Sequence, residues 1–255
     1  MKYDVCENHF LMEFSTQTTV APRNGDRTLV IMAKAPKPGR VKTRLAQHLP
    51  LPAITAFYQC LLDDTITLAR SLGATVHVAM MCPGADVSEL MPLVDDHVQV
   101  VAQKGEGLAA GLTSVFAQFA SSGGQRIIAF NSDSPHLPPS ILEAAFEILV
   151  SHDVVAGPTH DGGYYLVGAK AIHPALFEGD GMGTVSALEK LLARARALEL
   201  SVGLTPPFYD IDVANDVIQL AEELRDAPAR SPRTAAWFAE WDQAVTQLRT
   251  RPGSL

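Results

Sequence analysis

The sequence predicts an α/β protein, with a mostly parallel sheet covered by helices on both faces. Three observations carry that expectation. From Leu29 onwards, short apolar runs alternate with stretches of helical spacing. The run Leu29 to Ala33 is apolar throughout, as a strand buried on both faces requires. Glycine or proline punctuates many of the junctions.

Taken in order, Leu29 to Ala33 reads as the first strand. It cannot continue past Lys34, because Pro36 and Pro38 lack ladder donors and Gly39 frees the chain. Pro52 to Leu72 carries apolar residues at helical spacing (Ile54, Phe57, Leu61, Leu62, Ile66, Leu68), with Gly73 as a stop. Ala74 to Met81 and Val98 to Ala102 are strands, the latter followed by Gly105 and Gly107. Leu108 to Ala120 is a helix ending near Gly123-Gly124, and Arg126 to Phe130 is an apolar strand. Pro138 to Val150 is a helix with proline in its first turn. Asp153 to Gly157 and Tyr164 to Gly168 are strands so close in sequence that antiparallel pairing is open. Val185 to Leu198 is a helix, Val202 to Thr205 a strand and Val213 to Leu224 a helix. From Pro228 the tail has a helical stretch in which Trp237, Phe238 and Trp241 pack back on the body. Residues 1–27 read as a loosely held extension, 28–226 as the main domain and 227–255 as a helical extension.

The chain has 255 residues, 47% of them hydrophobic, enough for a large core. Its net charge of −8 argues against nucleic acid or an anionic membrane as partner. No apolar run reaches the length of a membrane span, and the first residues carry Asp4, Glu7 and Glu13 without a signal-like apolar stretch. Cys6, Cys60 and Cys82 are odd in number and widely spaced, which fits no disulfide framework or metal pattern and suggests a reduced cytoplasm.

Against that acidic balance, Lys34, Lys37, Arg40, Lys42 and Arg44 crowd into eleven residues without an acid among them. They follow a strand, at the sheet edge where open α/β folds bind ligands, so a phosphate-rich ligand is the expected partner. The competing reading is a solvated basic loop. A second apolar strand delivers Asn131, Ser132, Asp133 and Ser134 to the same edge. An acid there suits a divalent cation, which takes one or two carboxylates plus substrate phosphates; otherwise Asp133 caps a turn before Pro135. A further acidic set, Asp210, Asp212 and Asp216, follows the last strand. Asp210 and Asp212 are expected to point to opposite sides of an extended stretch, and Asp212 and Asp216 also suit a helix N-terminus. Finally, His160-Asp161-Gly162-Gly163-Tyr164-Tyr165 permits a tight turn with close backbone approach to a ligand. Asp161 or His160 can orient or deprotonate an acceptor hydroxyl there, while Asp-Gly alone signals an ordinary hairpin.

These segments together resemble a family. Ala33-Lys34-Ala35-Pro36 with Gly39-Arg40-Val41-Lys42-Thr43-Arg44-Leu45, Ser132-Asp133-Ser134-Pro135 with Leu137-Pro138-Pro139, Asp161-Gly162-Gly163-Tyr164-Tyr165-Leu166, and Tyr209-Asp210-Ile211-Asp212 with Asp216 occur in matching order and spacing. They are similar to the bacterial rSAM/selenodomain-associated transferases of the GT-A superfamily and, more distantly and chiefly in Lys-Thr-Arg-Leu, to the phospholactate guanylyltransferases. The chain departs from the family pattern at Gly105 to Leu112, where an acid and an arginine are missing, and at Met182-Gly183-Thr184. The resemblance implies a three-layer α/β/α GT-A-like fold, a nucleotide or nucleotide-sugar substrate, a small-molecule acceptor, and Mg2+ or Mn2+ held by Asp133 and Asp212. The expected phosphate and nucleotide contacts are Lys34, Gly39, Arg40, Lys42, Thr43, Arg44, Gln103 and Ser132. Lys42, Arg44 and Asp161 are the expected catalytic groups, with His160, Gly162, Gly163 and Tyr164 on the acceptor side. The first functional expectation is a metal-dependent glycosyltransferase with a nucleotide-diphospho-sugar donor. The alternatives are a nucleotidyltransferase that releases pyrophosphate and a non-catalytic nucleotide-binding module.

Overall fold

The computed structural model describes residues 26–123, 125–178 and 183–250. Most of the expected N-terminal extension, with Cys6, and also Met182 lie outside the described residues.

A seven-stranded sheet has the order β3-β2-β1-β4-β6-β5-β7. Its strands are β1 (Arg27–Met32), β2 (Val76–Cys82), β3 (Gln99–Ala102), β4 (Arg126–Asn131), β5 (Val154–Pro158), β6 (Tyr164–Ala169) and β7 (Val202–Leu204). β6 is antiparallel to both β4 and β5, and the other pairings are parallel. The short connection from β5 to β6 explains this inversion, because a parallel crossover needs a dozen or more residues.

The helices are α1 (Leu51–Ser71), the short α2 (Val87–Leu90), α3 (Gly107–Ser121), α4 (Pro139–Ser151), α5 (Ala187–Ala197), α6 (Ala214–Asp226), α7 (Pro232–Glu240) and α8 (Asp242–Thr250). Strand alternation sorts the core into two faces. Leu29, Ile31 and Phe130 face α1 and α4, packing with Leu62, Ile66, Leu142 and Phe146. Val30, Ile127 and Ala129 face α3 and α5, packing with Phe116, Phe119 and Leu191. These are the two covered faces that the near-continuous apolar strands imply.

A third cluster lies outside the sheet. The far side of α1 buries Ala53, Phe57 and Leu61 against Val217 and Leu220 of α6 and Trp237 of α7. Phe57 and Trp237 have ring centroids 4.5 Å apart, and the Trp237 indole N–H donates to the Ala53 carbonyl at 3.2 Å. The helical tail thus splits into two helices, of which α7 completes the burial of α1 and α8 packs on α6 and α7. One remote carboxylate fixes this docking. Asp64, buried in α1, accepts hydrogen bonds from the Arg233 and Thr234 backbone N–H groups and the Thr234 hydroxyl, at 3.2, 2.8 and 2.8 Å. It satisfies the free first turn of α7 from another helix.

Two predictions follow from these buried polar groups. Asp64→Ala leaves the buried Thr234 N–H and hydroxyl without their acceptor, and should lower unfolding free energy by about 2–4 kcal/mol, read from urea denaturation. His136 is buried with neither ring nitrogen hydrogen-bonded among the described residues. Burial lowers its pKa to about 3. Its stability contribution is therefore complete above the unfolded value near 6.5 and is lost progressively as pH falls towards 3. Denaturation curves should lose up to about 1.4 kcal/mol per pH unit in that window from this residue. His136→Phe should remove that part of the slope.

Candidate active site

Parallel register makes the site. Met32 at the end of β1 pairs with Asn131 at the end of β4 and with Met81 of β2. The segments that leave these strands therefore emerge at one sheet edge, beside the point where strand order reverses. A cavity of about 550 Å3 opens there. Lys34, Arg40, Lys42, Thr43, Arg44, Gln103, Ser132, Asp133 and Asp212 line it, together with walls from Met32, Met81, Pro83 and Leu108.

Lys42 is the centre of the arrangement. Its backbone lies in the left-handed region (φ 46°, ψ 42°), immediately before a 3-10 turn over Thr43–Gln47. Its side chain is 4% exposed, and its ammonium lies 2.9 Å from Asp133 Oδ2 and 3.0 Å from Asp212 Oδ1. Burial alone would lower its pKa, but the two carboxylates outweigh burial and hold it well above its ordinary value. Arg44 donates to the other Asp212 oxygen at 3.0 Å. Burial would raise the Asp212 pKa, yet Lys42 and then Arg44 overcome it and hold the carboxyl below the usual range.

The segment bearing Asp212 is stitched to the β4 end. The Ile211 N–H donates to the Asp133 carbonyl at 3.2 Å, and the Ser134 hydroxyl donates to the Tyr209 carbonyl at 3.3 Å. Ile211 is fully buried while Asp210 and Asp212 on either side are not. That corrects the expectation that the two acids point apart, since positions i and i+2 of an extended segment share a face. Burial pushes the Asp210 pKa up to about 6, helped by the Asp212 and Asp133 charges. Asp216 has the capping role instead: its carboxylate accepts the Asp212 and Val213 N–H groups, both at 2.8 Å, before α6. Asp212 is therefore left facing the cations.

Two features of the basic loop were not legible in sequence. Lys37 turns away from the cavity to pair with Asp86 at 3.4 Å and Glu89 at 2.6 Å, beside α2. Buried Asp86 also accepts the Ala35 N–H at 3.0 Å, which pins the start of the loop. Tyr58 of α1 contributes a buried hydroxyl that accepts the Lys34 N–H at 3.0 Å and contacts Ser132 Oγ at 3.1 Å. Burial and the Asp133 charge push its pKa up to about 12. Its position in an ordinary apolar helix face gives no sequence signal. The Gln103 side chain donates to the Gly105 and Gly107 carbonyls at 2.9 and 3.3 Å, bracing the turn into α3. Gly107 has φ +80°, and its Gly-x-Gly spacing after a strand is the signal that marks this turn.

His160, Asp161, Gly162, Gly163 and Tyr164 do not line the cavity, nor does Gly39. Asp161 Oδ1 accepts hydrogen bonds from the Thr159 hydroxyl and from the Gly163 N–H at 3.1 Å, within its own turn. Tyr164 packs against the core on the α3 and α5 face. Tyr165 is buried, its hydroxyl 3.0 Å from the Pro206 carbonyl. The turn braces a neighbouring segment instead. Gly162 has φ +90°, its carbonyl accepts the Leu188 N–H at 3.1 Å, and a Cβ on it would stand 2.0 Å from the Val185 carbonyl oxygen.

The donor set fits a hard divalent ion. Among the described residues no cluster of three or more His, Cys, Asp or Glu forms a cage. Two carboxylates do, however, converge on one cation, the Lys42 ammonium. Magnesium and manganese ask for no more protein ligands than that when substrate phosphates supply others.

Known proteins agree with this architecture. A family model described as "Uncharacterized protein conserved in bacteria (DUF2064)" matches residues 65–184. No curated protein matches the chain. Among solved structures, a provisionally named nucleotide-diphospho-sugar transferase from Desulfovibrio desulfuricans G20 superposes with a TM-score of 0.80 at 24% identity, over 88% of this chain and 98% of its own. A nucleotidyl transferase from Methanothermobacter thermautotroptrophicus gives 0.55 at 18% identity, over 79% and 99%. The 4-diphosphocytidyl-2C-methyl-D-erythritol synthase of Anaerococcus prevotii DSM 20548 gives 0.51 at 10%, over 78% and 97%. These likenesses establish the fold: a three-layer α/β/α sheet of the GT-A-like kind.

The Asp161 turn yields a prediction. Gly162→Ala forces a left-handed alanine against the Val185 carbonyl, and should cost at least about 2 kcal/mol in denaturation experiments.

Proposed function

We propose that this protein is a divalent-metal-dependent transferase acting on a nucleotide-activated substrate, and within that class a glycosyltransferase using a nucleotide-diphospho-sugar donor. The carrying observation is the convergence of Lys42 and Arg44 with Asp133 and Asp212 at the carboxyl edge of the sheet, inside a nucleotide-sized cavity. A basic loop alone can be solvated surface. A buried ammonium held by two acids from other segments costs too much desolvation to be incidental.

In this reading Asp133 and Asp212 hold Mg2+ or Mn2+, which supplies charge neutralisation at the phosphates. Lys34, Arg40, Lys42, Thr43 and Arg44 surround the diphosphate, and Ser132 and Gln103 complete the nucleotide side. Lys42 and Arg44 stabilise the negative charge that develops as the nucleoside diphosphate departs. Once the bound diphosphate has engaged them, little further reorganisation accompanies the reaction. The acceptor side is bounded by Leu108 and the segment from Gly183 to Val185, where a Cβ on Gly183 would stand 3.6 Å from Leu108. Gly162 braces that wall, and Asp161, His160, Gly163 and Tyr164 belong to the same turn. The Asp161 carboxylate is engaged within its turn, which supports bracing over proton abstraction.

A second reading is nucleotidyl transfer, with a nucleoside triphosphate in the same loop and pyrophosphate as product. The density of cations favours it, since Lys34, Arg40, Lys42 and Arg44 all line the cavity. One of the similar structures, from Methanothermobacter, is named a nucleotidyl transferase. One fold hosts both chemistries, so products decide. A panel of nucleotides with Mn2+ should release a nucleoside diphosphate on the first reading and pyrophosphate on the second; no turnover with any of them would leave only a binding module. Arg44→Ala should weaken nucleoside diphosphate binding by about 1.5–3 kcal/mol in calorimetry, the scale of a charge-assisted hydrogen bond.

A further inference from the structure

The cations and acids of this site are already paired with each other, and that pairing has a consequence for binding. Lys42 Nζ occupies one oxygen of Asp133 and one of Asp212, and Arg44 occupies the second oxygen of Asp212. The second oxygen of Asp133 is 3.4 Å from the Ser132 hydroxyl. A divalent ion approaching alone meets carboxylates that are already neutralised. A phosphate approaching alone meets cations whose charge is already spent.

We propose that Lys42 is an internal stand-in for the divalent cation, and that metal and diphosphate enter by exchange with it: the phosphate draws Lys42 and Arg44 off the acids as the metal takes the acids. This rests on the transferase reading of the site and adds the order of events to it. The buried ammonium cannot leave the acids without a replacement cation for them and a replacement anion for itself, because an unpaired buried charge is strongly unfavourable. Arg44 is 65% exposed and can leave at little desolvation cost. Each ligand therefore removes the obstacle to the other, and the two bind with positive coupling, reciprocal by linkage.

The backbone supports a device rather than a chance contact. Lys42 is one of two non-glycine residues with positive φ among the described residues. A lysine in that conformation costs roughly 1–2 kcal/mol relative to the right-handed region. The 3-10 turn that follows, with Leu45 buried and its N–H donating to the Lys42 carbonyl at 2.9 Å, fixes the origin of the side chain. The long flexible stem is then the part free to move between the acids and the cavity.

The test measures Mn2+ binding to the full chain without substrate, by the loss of the free-ion paramagnetic resonance signal, and then binding of the manganese–pyrophosphate complex by calorimetry. Lys42→Met should bind Mn2+ alone at least tenfold more tightly than wild type, and its preference for the complex over the bare ion should fall at least tenfold. Lys42→Arg keeps the charge, and should bind Mn2+ alone within about threefold of wild type, taking a factor of ten as the resolvable free-energy step. If Lys42 is only a phosphate ligand, Lys42→Met weakens the complex and leaves Mn2+ alone unchanged, which overturns the exchange. A tenfold rise in Lys42→Arg as well would overturn it equally, since charge would then not be the obstacle. Should Lys42→Met lose its near-ultraviolet dichroism, Lys42→Gly replaces it, because glycine suits the left-handed backbone. Wild-type protein that binds neither the ion nor the complex would instead refute the transferase reading, and the exchange with it.

Discussion

Three chain segments far apart in sequence meet at the Lys42 ammonium. The loop after β1 supplies the lysine, the end of β4 supplies Asp133, and the approach to α6 supplies Asp212. The rest of the site depends on this ionic knot, because the charge of a side chain only 4% exposed holds its partners in place by the cost of losing either of them. Backbone bonds reinforce it: Ile211 to Asp133 and Ser134 to Tyr209 clamp the two acid-bearing segments together. Asp216 takes over the α6 cap and so leaves Asp212 for the cations.

The scaffold under the knot is built to hold that edge still. α1 is buried on two sides, by the sheet on one and by α6 and α7 on the other. From that double burial it presents Tyr58 to both Lys34 and Ser132, joining the starts of the two segments that carry the lysine and the acid. Asp86 pins Ala35 from the next strand end and removes Lys37 from the cavity. The cluster that reads as five equivalent cations is thus divided into four at the cavity and one at a structural anchor.

The Asp161 turn, which does not line the cavity, is built differently. Around Gly162 the contacts are mainly backbone to backbone, without an ion pair at the turn among the described residues. Such a turn has no room for an added side chain at Gly162, where a Cβ would meet the Val185 carbonyl. The ionic knot and the Gly162 turn are thus held by different kinds of interaction.

Local physics made much of this legible from sequence. Apolar runs too continuous for a half-exposed strand fixed the buried sheet, prolines ended the first strand, and helical spacing located α1 and α3 to α6, while the short α2 was not anticipated. The same local signals placed Lys42 and Asp133 at strand ends, because a strand end is a property of its own residues. What pairs with what was a different matter. Whether Lys37 faces phosphate or Asp86, whether Asp212 caps a helix or meets Lys42, and whether a mid-helix tyrosine lines a cavity all depend on segments distant in the chain. The shared face of Asp210 and Asp212 was in principle readable from strand periodicity and was misread. The tertiary structure alone decided the pairings, because a buried charge or hydroxyl is stabilised by whichever partner the fold brings within about 3 Å, and that distance is set by strand register and helix docking rather than by neighbours in sequence.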